Sequence, residues 1–538
     1  MPAPSDSAMA TTATPADGAG LPSVPPVNLD VPEMPVSNYP MAVAGIMLAA
    51  ILPILDTTIA NVAIPHMQSA LGAGPQSIMW VLTSYIITNA VAMPITGWLS
   101  ERVGRQRLYI WSTTAFIITS ALCGISQNLE QMVIFRALQG ISGAFIFPLS
   151  QSILLDISRP SRHSTMMAVL SFGMVLGPVF GPIIGGWLTE NWNWRWVFLV
   201  NVPLGLIGLL LMIPTLPRYE LTRRRFDLAG FGLIALCMAS LQLLLDRGQH
   251  IDWFDALESW IYLGVCVMTL WMAIIHLATS PNPIFDRAMF ADKNFLIALL
   301  FMTTNSVVVY TTMALLPPML QGLFSYDTID TGLVIAPRGV GGIIGMQIAN
   351  RMILRKIDVR LPIGTGFIFT VYTLYLMTGW SLEVDFATMA WTGFVQGLGV
   401  GFVSLPIFVI AFATLEPRLR TDASGLLNLG RLIGSSVGIS IVTALFARNL
   451  QVSHSDLAAH VTSASSDVID VAAISQFPEM GGALMGLANA EISRQAAMVS
   501  YINDFWVIMW MTIASAPFVF LVRPAASPAD SQLPPVEH

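Results

Sequence analysis

Residues 41–63 read MAVAGIMLAAILPILDTTIANVA, and Asp56 is the only ionisable side chain among them. At about 1.5 Å per residue, a helix of that length rises roughly 35 Å, enough to cross a hydrocarbon core of about 30 Å. The run therefore reads as a membrane span with one acid inside it. Working outward with windows of about 19 residues, further spans fall near 78–99, 108–126, 132–153, 165–187, 196–215, 228–246 and 258–280. Six more fall near 294–318, 331–350, 362–380, 386–412, 423–447 and 500–522. The expectation is an all-α membrane protein with fourteen transmembrane helices.

Composition agrees. Of 538 residues 54% are hydrophobic and 11% charged, against about 25% charged in a soluble domain, which excludes a soluble globular enzyme. With 25 Lys and Arg against 32 Asp and Glu the net charge is -7. That leaves no basic field to neutralise phosphates, so nucleic acid is excluded as a partner. Cys123, Cys237 and Cys266 all lie inside apolar runs without C-x-x-C spacing and read as packing residues. No G-x-x-x-x-G-K-[ST] loop, H-E-x-x-H motif or His and carboxylate cluster is present. No catalytic residue, metal site or cofactor is expected.

Residues 1–40 are rich in Pro, Ala, Ser and Thr and contain no Lys or Arg. They read as a disordered tail rather than a signal peptide, which needs a basic n-region. Residues 524–538 read as a second polar tail. Of the 25 basic residues, 18 fall in one alternate set of loops. Positive charges beside a span resist translocation, so that set is cytoplasmic and, with an even span count, both tails are too. The segment 448–499 is then a partly helical periplasmic excursion.

Gly173, Gly177, Gly181 and Gly185 recur every fourth residue in the fifth span, and Gly430, Gly434 and Gly438 repeat the device in the thirteenth. Either stripe alone would only tighten a helix bundle. At corresponding positions they divide the chain into two six-helix halves, 41–215 and 294–523, around an inserted pair of helices in 216–293. A substrate site between two such halves is a transporter architecture.

A charge near the bilayer centre costs about 2.5–3.5 kcal/mol on insertion scales and needs a partner, a water-filled cavity or a function. Asp56 and Arg136 lie at comparable depths from the outer face and either share one cavity as the proton-coupling pair, or Asp56 caps or pairs structurally while Arg136 snorkels to the outer headgroups. Arg338 and Arg431 lie near span ends, where snorkelling to the interface would account for them. His276, Asn305, Gln396 and Asn428 either line a pore or bond across helices.

Several motifs then carry a family resemblance. Leu55-Asp56-Thr57-Thr58-Ile59-Ala60-Asn61, Gly97-Trp98-Leu99-Ser100-Glu101-Arg102-Val103-Gly104-Arg105 and Arg136-Ala137-Leu138-Gln139-Gly140 fall on the first span, the loop after the second, and the fourth span. Gly177-Pro178-Val179-Phe180-Gly181-Pro182-Ile183-Ile184-Gly185-Gly186 falls on the fifth, and Trp194-Arg195-Trp196-Val197-Phe198 with Asn201-Val202-Pro203-Leu204-Gly205 on the sixth. The chain resembles the fourteen-span drug:proton antiporters of the major facilitator superfamily, in particular their EmrB-type multidrug export permeases. Glu101 stands where an Asp is usual.

The resemblance implies a major facilitator fold working by alternating access. Asp56 and Arg136 would couple protons. Gly97, Glu101, Arg102, Gly104 and Arg105 would form a gating loop. Gly177, Pro178, Gly181, Pro182, Gly185 and Gly186 would form the antiporter motif. Asn61, Tyr85, Asn89, Gln139, Asn305, Tyr310, Gln396 and Asn428 are expected to line the substrate cavity. The cargo would be lipophilic drugs or toxic compounds, cationic or neutral, exported across a bacterial inner membrane. A periplasmic adaptor and an outer-membrane channel are the implied partners. The alternative is a same-fold exporter of one endogenous metabolite, such as a siderophore, fatty acid or amino acid derivative.

Overall fold

The computed structural model describes residues 30–219, 221, 225–248, 253–460 and 478–522. No strand occurs among them. In lipid every backbone N–H and C=O must be satisfied within its own segment, which turns each apolar run into a helix. Side chains in the loops start them: Asn38 caps Met41, Asp292 caps Phe295 and Asp385 caps Thr388 through their backbone N–H groups.

The helices are α1 (Tyr39–Ala70), α2 (Trp80–Ala92), α3 (Thr96–Val103), α4 (Arg105–Ile125), α5 (Leu129–Asp156), α6 (His163–Asn191) and α7 (Asn201–Met212). The inserted pair is α8 (Leu228–Arg247) and α9 (Leu257–Thr279). There follow α10 (Lys293–Leu323), α11 (Thr328–Leu354), α12 (Arg360–Thr378), α13 (Phe386–Ala413), α14 (Arg420–His460) and α15 (Pro478–Ser515).

Eleven helical segments among the described residues are long and apolar enough to cross a membrane. The other three expected spans are also helical, but one is broken and one short. The second is interrupted by a 3-10 turn, Met93–Ile95, at Pro94, which has no backbone N–H to donate. It then ends at Gly104, whose φ of 95° suits glycine. The sixth is a turn, Trp196–Leu199, running into the twelve-residue α7, and the fifth is α6.

The helix pairing repeats. In the first half α1 packs on α6 and α7, α2 on α5, and α4 on α5 and α7. In the second, α10 packs on α14 and α15, α11 on α13, and α12 on α13 and α15. The glycine stripes serve the equivalent pair each time: a Cβ on Gly181 would strike Thr58 of α1, and one on Gly434 would strike the Thr303 carbonyl of α10. The halves meet where α6 touches α11 and α13, and where α14 touches α3 and α5. Helices α8 and α9 pair with each other, and α8 is tied to α2 by the Thr83 hydroxyl on Asp246. Helix α9 turns Trp260, Met268 and Trp271 outward, as lipid contact requires.

The excursion expected at 448–499 is helical over its described residues, whereas residues 30–40, expected in a disordered tail, are packed. Helices α14 and α15 run past their spans and meet through His454 and Asn489, 3.0 Å apart; residues 461–477 lie outside the described set. The N-terminal stretch packs from residue 30 onward: Asp30 accepts from Ser161, and the Met34 N–H donates to the Asp156 carbonyl at 2.9 Å. Residues 1–29 and 523–538 are likewise outside the described set.

Candidate functional site

Four helices build one buried cluster around a carboxylate. Helix α1 brings Asp56, α5 brings Arg136 and Gln139 three residues apart on one face, α7 brings Asn201 and α4 brings Ser120. The local sequence sets this up. Thr57 turns its hydroxyl onto carbonyls of its own helix and Thr58 onto its own and the Gly177 carbonyl of α6 at 3.1 Å, while Asp56 bonds other helices through its charge. Gly140 admits the backbone of α2 so closely that a Cβ would collide with the Tyr85 carbonyl, which brings Tyr85 beside Arg136.

Asp56, Arg136, Gln139 and Asn201 are all 0% exposed. Arg136 Nη1 donates to Asp56 Oδ2 at 2.5 Å, and Gln139 Nε2 and Asn201 Nδ2 donate to Oδ1 at 2.9 and 2.8 Å. Asn201 also reaches Ser120 Oγ at 3.0 Å. Arg136 is held from its other side: Nε donates to the Val81 carbonyl at 3.0 Å, and the guanidinium lies 4.4 Å from the Tyr85 ring centroid and 5.5 Å from that of Phe198. Snorkelling is therefore not what Arg136 does. A dry ion pair of this kind is severely weakened when one partner loses its charge, by about 3–5 kcal/mol, so a proton arriving at Asp56 must disturb the packing of every helix that holds it.

Of the residues expected in the cavity, Tyr85 and Gln139 belong instead to this cluster. Asn61 is exposed and takes no part in it. Asn89 bonds the Gly140 carbonyl at 3.3 Å. Asn305 and Tyr310 do line a cavity of about 100 Å³, which lies among α10, α11, α13 and α14 and also takes in Ser171 of α6. Arg338 and Arg431 face into it rather than snorkelling. Gln396 is buried outside that lining. Asn428 bonds Gln151 of the other half at 3.1 Å, and His276 bonds Asp227 at 2.8 Å. A larger groove of about 670 Å³ over the loop between α12 and α13 shares no residue with either site.

At the arginine-rich end the halves are latched. Asp156 is 1% exposed and accepts from Arg105 of its own half at 2.5 Å, from Arg420 of the other at 3.3 Å, and from the Tyr219 hydroxyl at 3.1 Å. Burial first, then the Asp156 charge, push the Tyr219 hydroxyl well above its ordinary pKa. Arg420 also takes Glu33 at 2.7 Å. Ser152 meets Thr421 at 2.8 Å, and Ser424 meets Gln151. Gly97 abuts Asp422, and Arg102 lies over the Trp98 ring at 5.3 Å. Glu416 raises the Arg418 guanidinium above its usual value, with Asp286 and Glu101 adding to it, which places Glu101 near the opposite half. Gly177, Gly181 and Gly185 pack on α1, while nothing stands within 4 Å of a Cβ on Gly186. Pro178 and Pro182 lie in α6, and their side chains fall outside the described set.

Sequence reading gave no role to Gln151, Asp156, Arg420 or Asp504 and carried Asn201 only within the sixth-span motif. Asn201 was legible as a polar residue two positions before Pro203 in an apolar run. Asp156 and Arg420 lie just past expected span ends, where a charge attracts no notice. Asp504 is 0% exposed on α15, and neither of its carboxylate oxygens has a hydrogen-bond partner.

The family model described as Major Facilitator Superfamily matches residues 46–439. The chain is 34% identical over 487 residues to the multidrug export protein EmrB of Escherichia coli (strain K12), covering 89% of this chain and 94% of that one. It is 33% identical over 500 residues to the fatty acid resistance protein FarB of Neisseria gonorrhoeae, covering 92% and 98%. It is 32% identical to the probable multidrug resistance protein EmrY of Escherichia coli (strain K12), covering 89% and 94%. Among solved structures, the human organic anion transporter MFSD10 (TETRAN) superposes with a TM-score of 0.53 at 16% identity, over 88% of this chain and 99% of that one. At that identity the likeness concerns the fold alone.

Proposed function

This chain belongs to the major facilitator superfamily, and from that premise we propose that it is a multidrug efflux transporter exchanging lipophilic compounds for protons. The observation that carries the reading is the Asp56–Arg136 pair, fully buried and bonded to Val81 of α2, to Gln139 of α5 and to Asn201 of α7. Protonation of Asp56 cancels the charge that Arg136 needs, so proton binding and this arrangement of the first half exclude each other. A substrate binding preferentially to one arrangement then shifts the same equilibrium from the other side. Alternating exposure of a site between the halves converts that linkage into antiport. Each proton moving inward contributes about 2.3 kcal/mol per 100 mV of membrane potential.

The reading places fourteen crossings in a bacterial inner membrane with both ends in the cytoplasm. The latch at Asp156 is then the cytoplasmic gate, shut in this structure. Glu101, Arg102 and Arg105 sit at that gate, where charge pairs make and break between two packings. A periplasmic adaptor and an outer-membrane channel complete the export path.

The test is expression in a strain lacking its own pumps, followed by resistance and ΔpH-dependent accumulation across a chemically diverse panel. Everted vesicles should release protons when drug is added, and vesicles bearing Asp56→Asn should not. Proton release by that variant would overturn the coupling assignment. Resistance to a single compound would select the one-metabolite exporter. Full resistance in an adaptor-null strain would remove the adaptor from the scheme.

A further inference from the structure

The chain ahead of α1 lies across the arginine-rich latch. Asp30 accepts from Ser161 twice, the N–H at 3.0 Å on Oδ1 and the hydroxyl at 2.7 Å on Oδ2. The Met34 N–H donates to the Asp156 carbonyl at 2.9 Å, and the Tyr39 hydroxyl meets Ser158 Oγ at 2.9 Å. Val36, between these anchors, packs against the buried core. Ser158, Ser161 and Asp156 all belong to the first half, so residues 30–39 are pinned to it at both ends and in the middle. Glu33 sits inside the pinned stretch and reaches across to the second half, where its Oε1 lies 2.7 Å from Arg420 Nη1 at the start of α14.

The charges of the latch give that reach a purpose. Two guanidiniums stand against the buried Asp156 carboxylate, Arg105 at 2.5 Å and Arg420 at 3.3 Å. One carboxylate cannot neutralise both, and Arg420 is only 9% exposed, so water screens little of its charge. Glu33 supplies the second acid, and it lies closer to Arg420 than Asp156 does. The segment's bonds to Ser161, Ser158 and the Asp156 carbonyl lie within one half and survive separation of the two. The Glu33–Arg420 bond does not. A contact present in only one of two arrangements shifts the equilibrium toward that arrangement. Because the arm is already anchored, little further ordering is needed when the bond forms.

We propose that residues 30–38 form a strap, mounted on the first half, whose Glu33 holds the arginine-rich end shut by bonding Arg420 of the second. The proposal rests on the reading of the Asp156 latch as a gate and adds a control to it. Whatever draws the segment away from Ser161 and Asp156 releases Arg420 and favours opening. While the open form is the minority, the apparent affinity for a ligand entering at that end rises in proportion to the open population.

The test uses the purified full chain in mild detergent with a cysteine placed at Ser152, which is 0% exposed inside the latch; the three native cysteines are buried. The rate at which a bulky thiol reagent labels that position scales with the open population, however small. Glu33→Gln should speed labelling about 2- to 5-fold, the range of a part-exposed ion pair. Glu33→Asp should recover part of the parent's protection. Asp30→Ala removes an anchor without touching Glu33 and should act in the same direction by a smaller factor. Added to Glu33→Gln it should change little more, because the arm then has nothing left to hold. Asp156→Asn removes the latch carboxylate itself and should label faster than any of these. Parent-like labelling of Glu33→Gln, where Asp156→Asn does label faster, overturns the strap and leaves the gate standing. So do additive effects of Asp30→Ala and Glu33→Gln, since the anchor would then not act through Glu33. Parent-like labelling of Asp156→Asn as well sinks the gate reading and the strap with it.

Discussion

Gly97 of α3 and Asp422 of α14 touch so closely that a Cβ built on the glycine would overlap the carboxylate. The contact joins one half to the other at the arginine-rich end, so the absence of a side chain at 97 is a condition for that end to shut. Gly97→Val should insert and fold but hold the end open. A cysteine placed at Ser152, buried in the same latch, should then react with a bulky thiol reagent about 10-fold faster than in the parent, since the accessible fraction rises with each ~1.4 kcal/mol lost from closure. Unchanged labelling together with unchanged export would show that the contact does not gate anything.

The ion pair in the first half makes a prediction about stability as well as coupling. Asp56→Asn leaves the Arg136 charge buried without compensation and should lower unfolding free energy by about 3–5 kcal/mol. Combining it with Arg136→Gln should restore most of the loss, while export remains absent. Thermal unfolding of the three variants in one detergent measures this, and additive losses in the double variant would mean the pair is not coupled.

His163 supplies a pH dependence at the latch. Burial and then the Arg420 charge lower its pKa below the usual histidine value, against weaker opposing contacts from Ser158, Leu155 and Glu33. A base depressed in the folded state is protonated first in the open or unfolded chain. Stability contributed by neutral His163 is therefore complete above about pH 6.5 and lost as pH falls through its folded value. Distance measurements between spin labels on the two halves should show the arginine-rich end loosening on acidification. His163→Gln should flatten that response, and a profile identical to the parent would remove His163 from it.

Asp504 lies on α15 in an apolar cluster that includes Tyr501, Phe505 and Ile508, with neither carboxylate oxygen bonded. Removing an unsatisfied buried polar group is stabilising, so Asp504→Leu should raise unfolding free energy by about 1–3 kcal/mol. A fall in the thermal midpoint of similar size would mean that the carboxyl group has a partner in the working protein.

Much of the architecture was legible in the residues alone. Apolar length makes helices wherever water is absent, so the segments around Asp56, Arg136 and Gly434 could be placed with nothing but hydropathy and rise per residue. The two glycine stripes marked the repeat, and equal depth brought Asp56 and Arg136 together. What the tertiary structure decided was which way each polar side chain turns. It gave Gln139 and Asn201 to Asp56, aimed Arg338 into a cavity instead of toward the headgroups, and set Asp156 between arginines of both halves. The reason is physical. In a soluble helix the apolar stripe marks the buried face, but lipid is as apolar as a bundle interior. A membrane helix therefore reads much the same all round, and only packing against its neighbours determines what an arginine or an asparagine will meet.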